Sequence, residues 1–230
     1  MAALVTSVGF RVITKIPRPP AEVFHLFDGV ESTHVSDAMN RFGGMDFNIR
    51  AASPNMRVVG PAVTVRARPG DVLMTFKAVE IASPGDVIVV ETRGCISIST
   101  WGDLLSIVCK ERRLGGAVTD GAVRDLTGIR QVGFPVFTRD YLSPLGSLHD
   151  APGEVNVPIS CGGVAVMPGD VILADAHGVV VVPREDAEAV ARAAQNIVQA
   201  EQAWMAEIHA GRTIPEWVNG TLTTKGCLIR

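Results

Sequence analysis

From Val58 onward, β-branched and small apolar residues gather into short runs, each bounded by a turn-forming pair. Val59, Ala62, Val63, Val65 and Ala67 read as a strand entered through Gly60-Pro61. Val87 to Val90 is apolar without alternation, the pattern of a strand buried on both faces. Further strands are expected at 116–119, around Val136-Phe137, and over 155–159, 163–166, 171–174 and 179–182, with a hairpin connection at 175–178. Three Pro-Gly-Asp-Val tetrapeptides, at 69–72, 84–87 and 168–171, each set a turn ahead of such a run. Asp71, Asp86 and Asp170 are therefore read as turn residues.

Helical spacing appears elsewhere. Residues 1–20 form an arm closing on Pro17, Pro19 and Pro20, and proline opens a short helix from Ala21 to Phe27. A second helix starts at Ser32 or Thr33 and stops at Gly43-Gly44; another covers 102–113. A long one spans 184–210, where Val190, Ile197 and Trp204 recur every seven residues. Glu201 falls between Ala194 and Ile208 on an adjacent row, and an acid on an apolar seam calls for a partner. Residues 212–230 read as a tail over another subunit, anchored by Trp217. Mixed strands and helices without strict alternation, with late hairpins, predict a layered α/β sandwich in a single domain: arm 1–32, core 33–183, C-terminal helix and tail 184–230.

Candidate chemistry concentrates in residues 99–125, STWGDLLSIVCKERRLGGAVTDGAVRD. Asp103 opens the helix, and Arg124 with Asp125 follows the next strand. A strand–helix–strand unit of this spacing returns the chain beside its start and brings the three together. Asp120-Gly121 is expected to make a tight turn that aims Arg124 and Asp125 inward. Arginine offers a planar fork to a carboxylate or enolate oxygen, and aspartate offers hard oxygens to a divalent cation. The N–H groups of Leu104 and Leu105, freed at the helix start, form an anion seat. That set suits a small α-keto acid. An Arg–Asp ion pair at a turn, with Asp103 as helix cap, accounts for the same residues structurally. His34 could face a substrate and His177 could bind a metal, though capping or solvation explains each.

Charge and composition narrow the field. A net charge of -3 gives no electrostatic case for nucleic acid or an anionic membrane. The four cysteines (Cys95, Cys109, Cys161, Cys227) show no metal-ligand or disulfide spacing. The first residues lack a charged segment followed by an apolar core, and no apolar run reaches spanning length, so the expected location is cytoplasmic. No GxGxxG, Walker loop, GxSxG or HExxH motif occurs.

The run GGAVTDGAVRD with Asp103 upstream, together with VSDAMNRFGG (35–44), GPAVTVRA (60–67), PGDVIVVE (84–91) and GGVAVMPGDVILADAHGVVVVP (162–183), resembles the RraA-like family over roughly residues 33–183. The resemblance points to its 4-hydroxy-4-methyl-2-oxoglutarate aldolase and oxaloacetate decarboxylase branch. The resemblance implies a β/β/α swivelling-domain fold and a lyase dependent on Mg²⁺ or Mn²⁺. It implies Asp125 as metal ligand, Arg124 on the enolate oxygen, and Gly102, Leu104 and Leu105 seating the substrate carboxylate. Asp103 would orient a water for proton transfer. The family forms ring-like trimers or hexamers, and Glu201, with Glu207 as competitor, would come from the next chain. Residues 93–101, RGCISISTW, depart from the expected glycine- and alanine-rich loop. A Schiff-base route is disfavoured because no lysine falls in the cluster. A methyltransferase reading lacks a glycine-rich cofactor loop. The alternative implied by the same resemblance is a non-catalytic protein regulator of ribonuclease E.

Overall fold

Strands that must be covered on both faces need layers on both sides, and the apolar runs of this chain are arranged that way. The computed structural model describes residues 7–141, 145–146 and 148–229. In chain order its first half comprises β1 (Arg11–Val12), α1 (Ala21–His25), α2 (Ser32–Ala38), β2 (Arg50–Ala51), β3 (Val58–Arg66), α3 (Leu73–Ile81), β4 (Val87–Glu91), β5 (Ser99–Trp101) and α4 (Asp103–Glu111). There follow β6 (Gly116–Val123), α5 (Leu126–Val132), β7 (Val136–Asp140), β8 (Glu154–Val155), β9 (Ile159–Cys161), β10 (Val164–Val166), β11 (Val171–Asp175), β12 (Gly178–Val182), α6 (Ala187–His209) and α7 (Trp217–Thr224).

The main sheet is mixed and runs β1-β8-β3-β4-β6-β7-β2, with β11 and β12 added beside β3 and β5 added beside β6. Its centre, β3–β4–β6–β7, is parallel, and Val89 pairs with Thr64 on one side and Val118 on the other. Every residue of β6 is buried. Helices α3–α5 and the β9–β10 hairpin contribute to one apolar core around these strands. A second core lies between β11–β12 and α1, α2 and α6, where Ala187, Ala191 and Ala194 seat the long helix closely. The layered α/β expectation, with mixed sheet and long C-terminal helix, holds.

The Pro-Gly-Asp turns have more in them than turn chemistry. Asp86, 1% exposed, accepts from the Ser83 N–H at 2.8 Å and from the Arg18 fork at 2.6 and 3.1 Å. Several details differ from the sequence reading. Residues 155–159 are not one strand: Asn156 adopts a left-handed φ of 57°, so β8 joins β3 while β9 starts a separate hairpin. Ser32 does not cap α2 with its own hydroxyl. Glu31 occupies the cap position, and Asp175 of β11 accepts from both the Ser32 N–H (2.7 Å) and hydroxyl (2.6 Å). No helix among the described residues is long and apolar enough to cross a membrane.

Candidate active site

Two successive strand-to-helix junctions, β5–α4 and β6–α5, lie side by side because β5 and β6 are parallel neighbours, with Trp101 opposite Val123. The first junction is fixed from beneath. Trp101 is buried with its ring parallel to Phe134, centroids 6.4 Å apart, and its indole N–H donates to Ser106 Oγ at 2.9 Å. That hydroxyl donates in turn to the Gly102 carbonyl at 3.0 Å. The Arg124 N–H donates to the Trp101 carbonyl at 3.0 Å, tying the second junction to the first.

Glycines let the two junctions pack closely against each other. A Cβ built on Gly102 would stand 3.0 Å from Asp125 Oδ2 and 3.7 Å from Arg124 Cγ. A Cβ on Gly128, in the first turn of α5, would stand 2.5 Å from Asp103 Oδ2 and 2.7 Å from Asp103 Cβ. Asp103 thus rests on the turn that follows Asp125, and Arg124–Asp125 rests on the residue before Asp103. Arg124 Nε lies 3.2 Å from Asp125 Oδ2, and both side chains are roughly half exposed, at 45% and 43%. Arg124 Nη1 passes under Gly146, where a Cβ would come within 2.9 Å. Asp125 itself has φ 58°, a left-handed conformation that aspartate tolerates better than most residues.

The anion seat is partly taken. Asp103 Oδ1 accepts the Leu104 N–H at 2.7 Å, while Gly102 holds the cap position with no side-chain cap bond, so the structural reading of Asp103 as the helix cap does not hold. The Leu105 N–H has no acceptor among the described residues. The tight turn expected at Asp120-Gly121 is absent, because β6 runs on through Val123 with a register irregularity between Thr119 and Ala122. The physical reason is that the buried Asp120 carboxylate is satisfied by the neighbouring strand: it accepts from the Thr92 N–H (2.6 Å), Thr92 hydroxyl (2.9 Å) and Gly94 N–H (3.0 Å). What aims Arg124 and Asp125 is the end of β6 and the start of α5.

Glu201 sits on a different part of the surface. Its Oε2 lies 3.0 Å from His34 Nε2 across the α2–α6 contact, while His34 Nδ1 accepts the Glu31 N–H at 3.0 Å. His34 therefore completes a capping box and does not reach the cluster. Glu207 is exposed on the outer part of α6. His177 lies 3.5 Å from Glu31, and among the described residues no three His, Cys, Asp or Glu side chains group as a metal cage. The reading of the sequence did not single out Gly128 and Gly146. A glycine in the first turn of a helix, where it lowers helix propensity, was the available signal for the first.

Residues 32–181 match the family model described as RraA-like, Aldolase/RraA. The chain belongs to the RraA-like family. A relative of this RraA-like chain from Halalkalibacterium halodurans, named "Putative 4-hydroxy-4-methyl-2-oxoglutarate aldolase", is 39% identical over 169 residues, covering 74% of this chain and 80% of its own. Among solved RraA-like structures, Streptomyces coelicolor RraAS2, described as an unusual member of the RNase ES inhibitor RraA protein family, superposes with a TM-score of 0.74 at 27% identity. It covers 83% of this chain and 100% of its own. An uncharacterized protein from Pseudomonas syringae pv. tomato gives a TM-score of 0.75 at 27% identity, covering 86% and 92%.

Proposed function

We propose that this RraA-like protein is a divalent-metal-dependent lyase. It cleaves 4-hydroxy-2-oxo diacids of the 4-hydroxy-4-methyl-2-oxoglutarate type to pyruvate, and it decarboxylates oxaloacetate. The observation that carries this reading is the packing of Asp103, Arg124 and Asp125 onto each other's glycines at two adjacent junctions. The relative named for that aldolase supports it.

The donor set fits the cation this chemistry requires. Mg²⁺ keeps several waters and is held by one or two carboxylates plus substrate oxygens, so Asp125 with Asp103 nearby suffices. Asp125 would hold it, and when bound it supplies Lewis-acid polarisation of the keto group. The remaining steps belong to the chain. The Leu105 N–H and the Arg124 fork seat the substrate carboxylate and the 2-oxygen. Asp103, through a water, accepts the proton of the C4 hydroxyl. The C3–C4 bond breaks, its electron pair enters the C2–C3 enolate, and C4 departs as a carbonyl. Arg124 balances the enolate oxygen's charge, and return of the proton to C3 gives pyruvate. In oxaloacetate the bond to the distal carboxylate breaks, CO₂ leaves, and the same enolate forms.

A neighbouring copy, in a trimer or hexamer, supplies a C-terminal glutamate, with residues 212–230 laid over its neighbour. Glu207 fits that role more simply than Glu201, which His34 of its own chain engages. The test is pyruvate release from 4-hydroxy-4-methyl-2-oxoglutarate after chelation. Activity should vanish in excess EDTA and return with Mg²⁺; undiminished release excludes the mechanism. The exposed apolar face of α4 (Leu104, Ile107, Val108) and the RNase ES inhibitor family of the Streptomyces neighbour favour a second reading, a protein-binding regulator of ribonuclease E. Under that reading no preparation of the protein turns over either keto acid.

A further inference from the structure

Two arginines that share a cleft outside the Asp103–Arg124–Asp125 cluster have no carboxylate partner among the described residues. The guanidinium groups of Arg68 and Arg93, both exposed residues, make no hydrogen bond or ion pair among the described residues, and both residues line one cleft of about 870 Å³. The third arginine of that cleft is different: Arg66 reaches Glu91 at 3.2 Å and Glu154 at 2.8 Å. Glu154, 2% exposed, also lies 2.8 Å from Arg11, so its charge is balanced. Asp150 is the one further carboxylate on the lining. Val8 and Phe10 form an apolar lip, 72% and 61% exposed.

The cleft's position and one strained residue both point to a ligand. Arg68 follows β3 and Arg93 follows β4, so the two guanidiniums stand beyond the carboxyl ends of adjacent parallel strands, where open α/β sheets bind small molecules. Arg93 adopts φ 58°, an uncommon conformation for a residue with a side chain. The strain is imposed by Asp120, which holds the N–H groups on both sides of it, Thr92 at 2.6 Å and Gly94 at 3.0 Å. Glycine would satisfy that backbone at no steric cost, yet the position carries an unpaired arginine.

We propose that this cleft is a second anion site, separate from the lyase cluster, which takes a small organic dianion with an apolar body. Arg68 and Arg93 hold the charged head, Phe10 and Val8 cover the body, and Asp150 accepts from a hydroxyl on it. Asp120 is a positioning residue for Arg93. This inference does not rest on the lyase reading.

Isothermal titration of the full chain carrying Arg124→Ala, which lacks the guanidinium of the other cluster, isolates the cleft. The probes are phenyl phosphate, phenylsuccinate and inorganic phosphate. Saturable binding of phenyl phosphate or phenylsuccinate is expected, and the tighter of the two tells whether the head is a phosphate or a pair of carboxylates. Arg68→Gln should weaken it about tenfold or more, the worth of one charge-assisted contact. Phe10→Ala should weaken the phenyl ligands and leave inorganic phosphate unchanged. Arg93→Gly relieves the backbone, so it should lose binding about tenfold while the Tm holds or rises. No saturable binding of either phenyl ligand up to about 10 mM, or affinities unmoved by Arg68→Gln and Arg93→Gly together, overturns the proposal.

Discussion

Gly128→Ala separates stability from activity in a way the structure allows to be worked out. Gly128 lies inside α5, so alanine there gains up to about 1 kcal/mol of helix propensity. The added methyl would stand 2.5 Å from Asp103 Oδ2, 2.7 Å from its Cβ and 2.9 Å from its Cγ. Rotating the carboxylate relieves only the first of these, because the Cβ moves only with the backbone. Ordinary contact is near 3.5 Å, so the start of α4 must retreat by roughly 1 Å. Such overpacking costs about 1–3 kcal/mol, which leaves a net loss of about 0–2 kcal/mol. Activity is far more sensitive, since a misplacement of about 1 Å costs on the order of 100-fold. The expected result is a Tm within several degrees of the parent with kcat for pyruvate release, followed by lactate dehydrogenase coupling, down about 100-fold. Parental kcat/KM in a folded Gly128→Ala variant would refute the placement of Asp103 in the reaction.

Other outcomes follow from the same geometry. Arg124→Ala should retain its circular dichroism spectrum and lose about 10²–10³ in kcat, the scale of one lost charge-stabilising donor. Asp86→Ala leaves the Arg18 fork and the Ser83 N–H without their acceptor, so urea unfolding should show a loss of about 2–4 kcal/mol. Burial pushes the Cys109 thiol up to about 12 from an ordinary 9.0. The unfolded thiol ionises above about pH 9 while the folded one keeps its proton, so stability falls as pH rises through that window; Cys109→Ala should flatten the urea midpoint between pH 9 and 11. The Ser97 hydroxyl beside Cys95 lowers that thiol's pKa, which raises its thiolate fraction at neutral pH. A thiol reagent on the native chain should label Cys95 and Cys227 and spare buried Cys109 and Cys161.

What the sequence made legible was set by local chemistry. Val87–Val90 had to be a strand buried on both faces because nothing else accommodates four consecutive β-branched residues so dry. The return of β6 beside β5 after α4 followed from the length of one crossover. Local signals failed where the cause is distant. Helix α3 (Leu73–Ile81) has apolar residues on most sides, so no stripe marks it, and its cover comes from β3, β4 and β8. Helix α5 is seven residues with a glycine inside, held by its contact with α4. Asp120-Gly121 has the composition of a turn, but Thr92 and Gly94, 28 and 26 positions earlier, donate to the carboxylate and keep the strand extended.

The long helix α6 is rooted at one end only. Its first half stands on Ala187, Ala191 and Ala194, while from Glu201 outward every residue is exposed, including Trp204, Met205 and Ile208. A lone chain therefore behaves like a beam clamped at its base, and its free end frays first. Amide exchange should slow toward Ala187 and quicken past position 200, and a protease meeting the chain should cut near Gly211 and leave the sheet and its junctions whole.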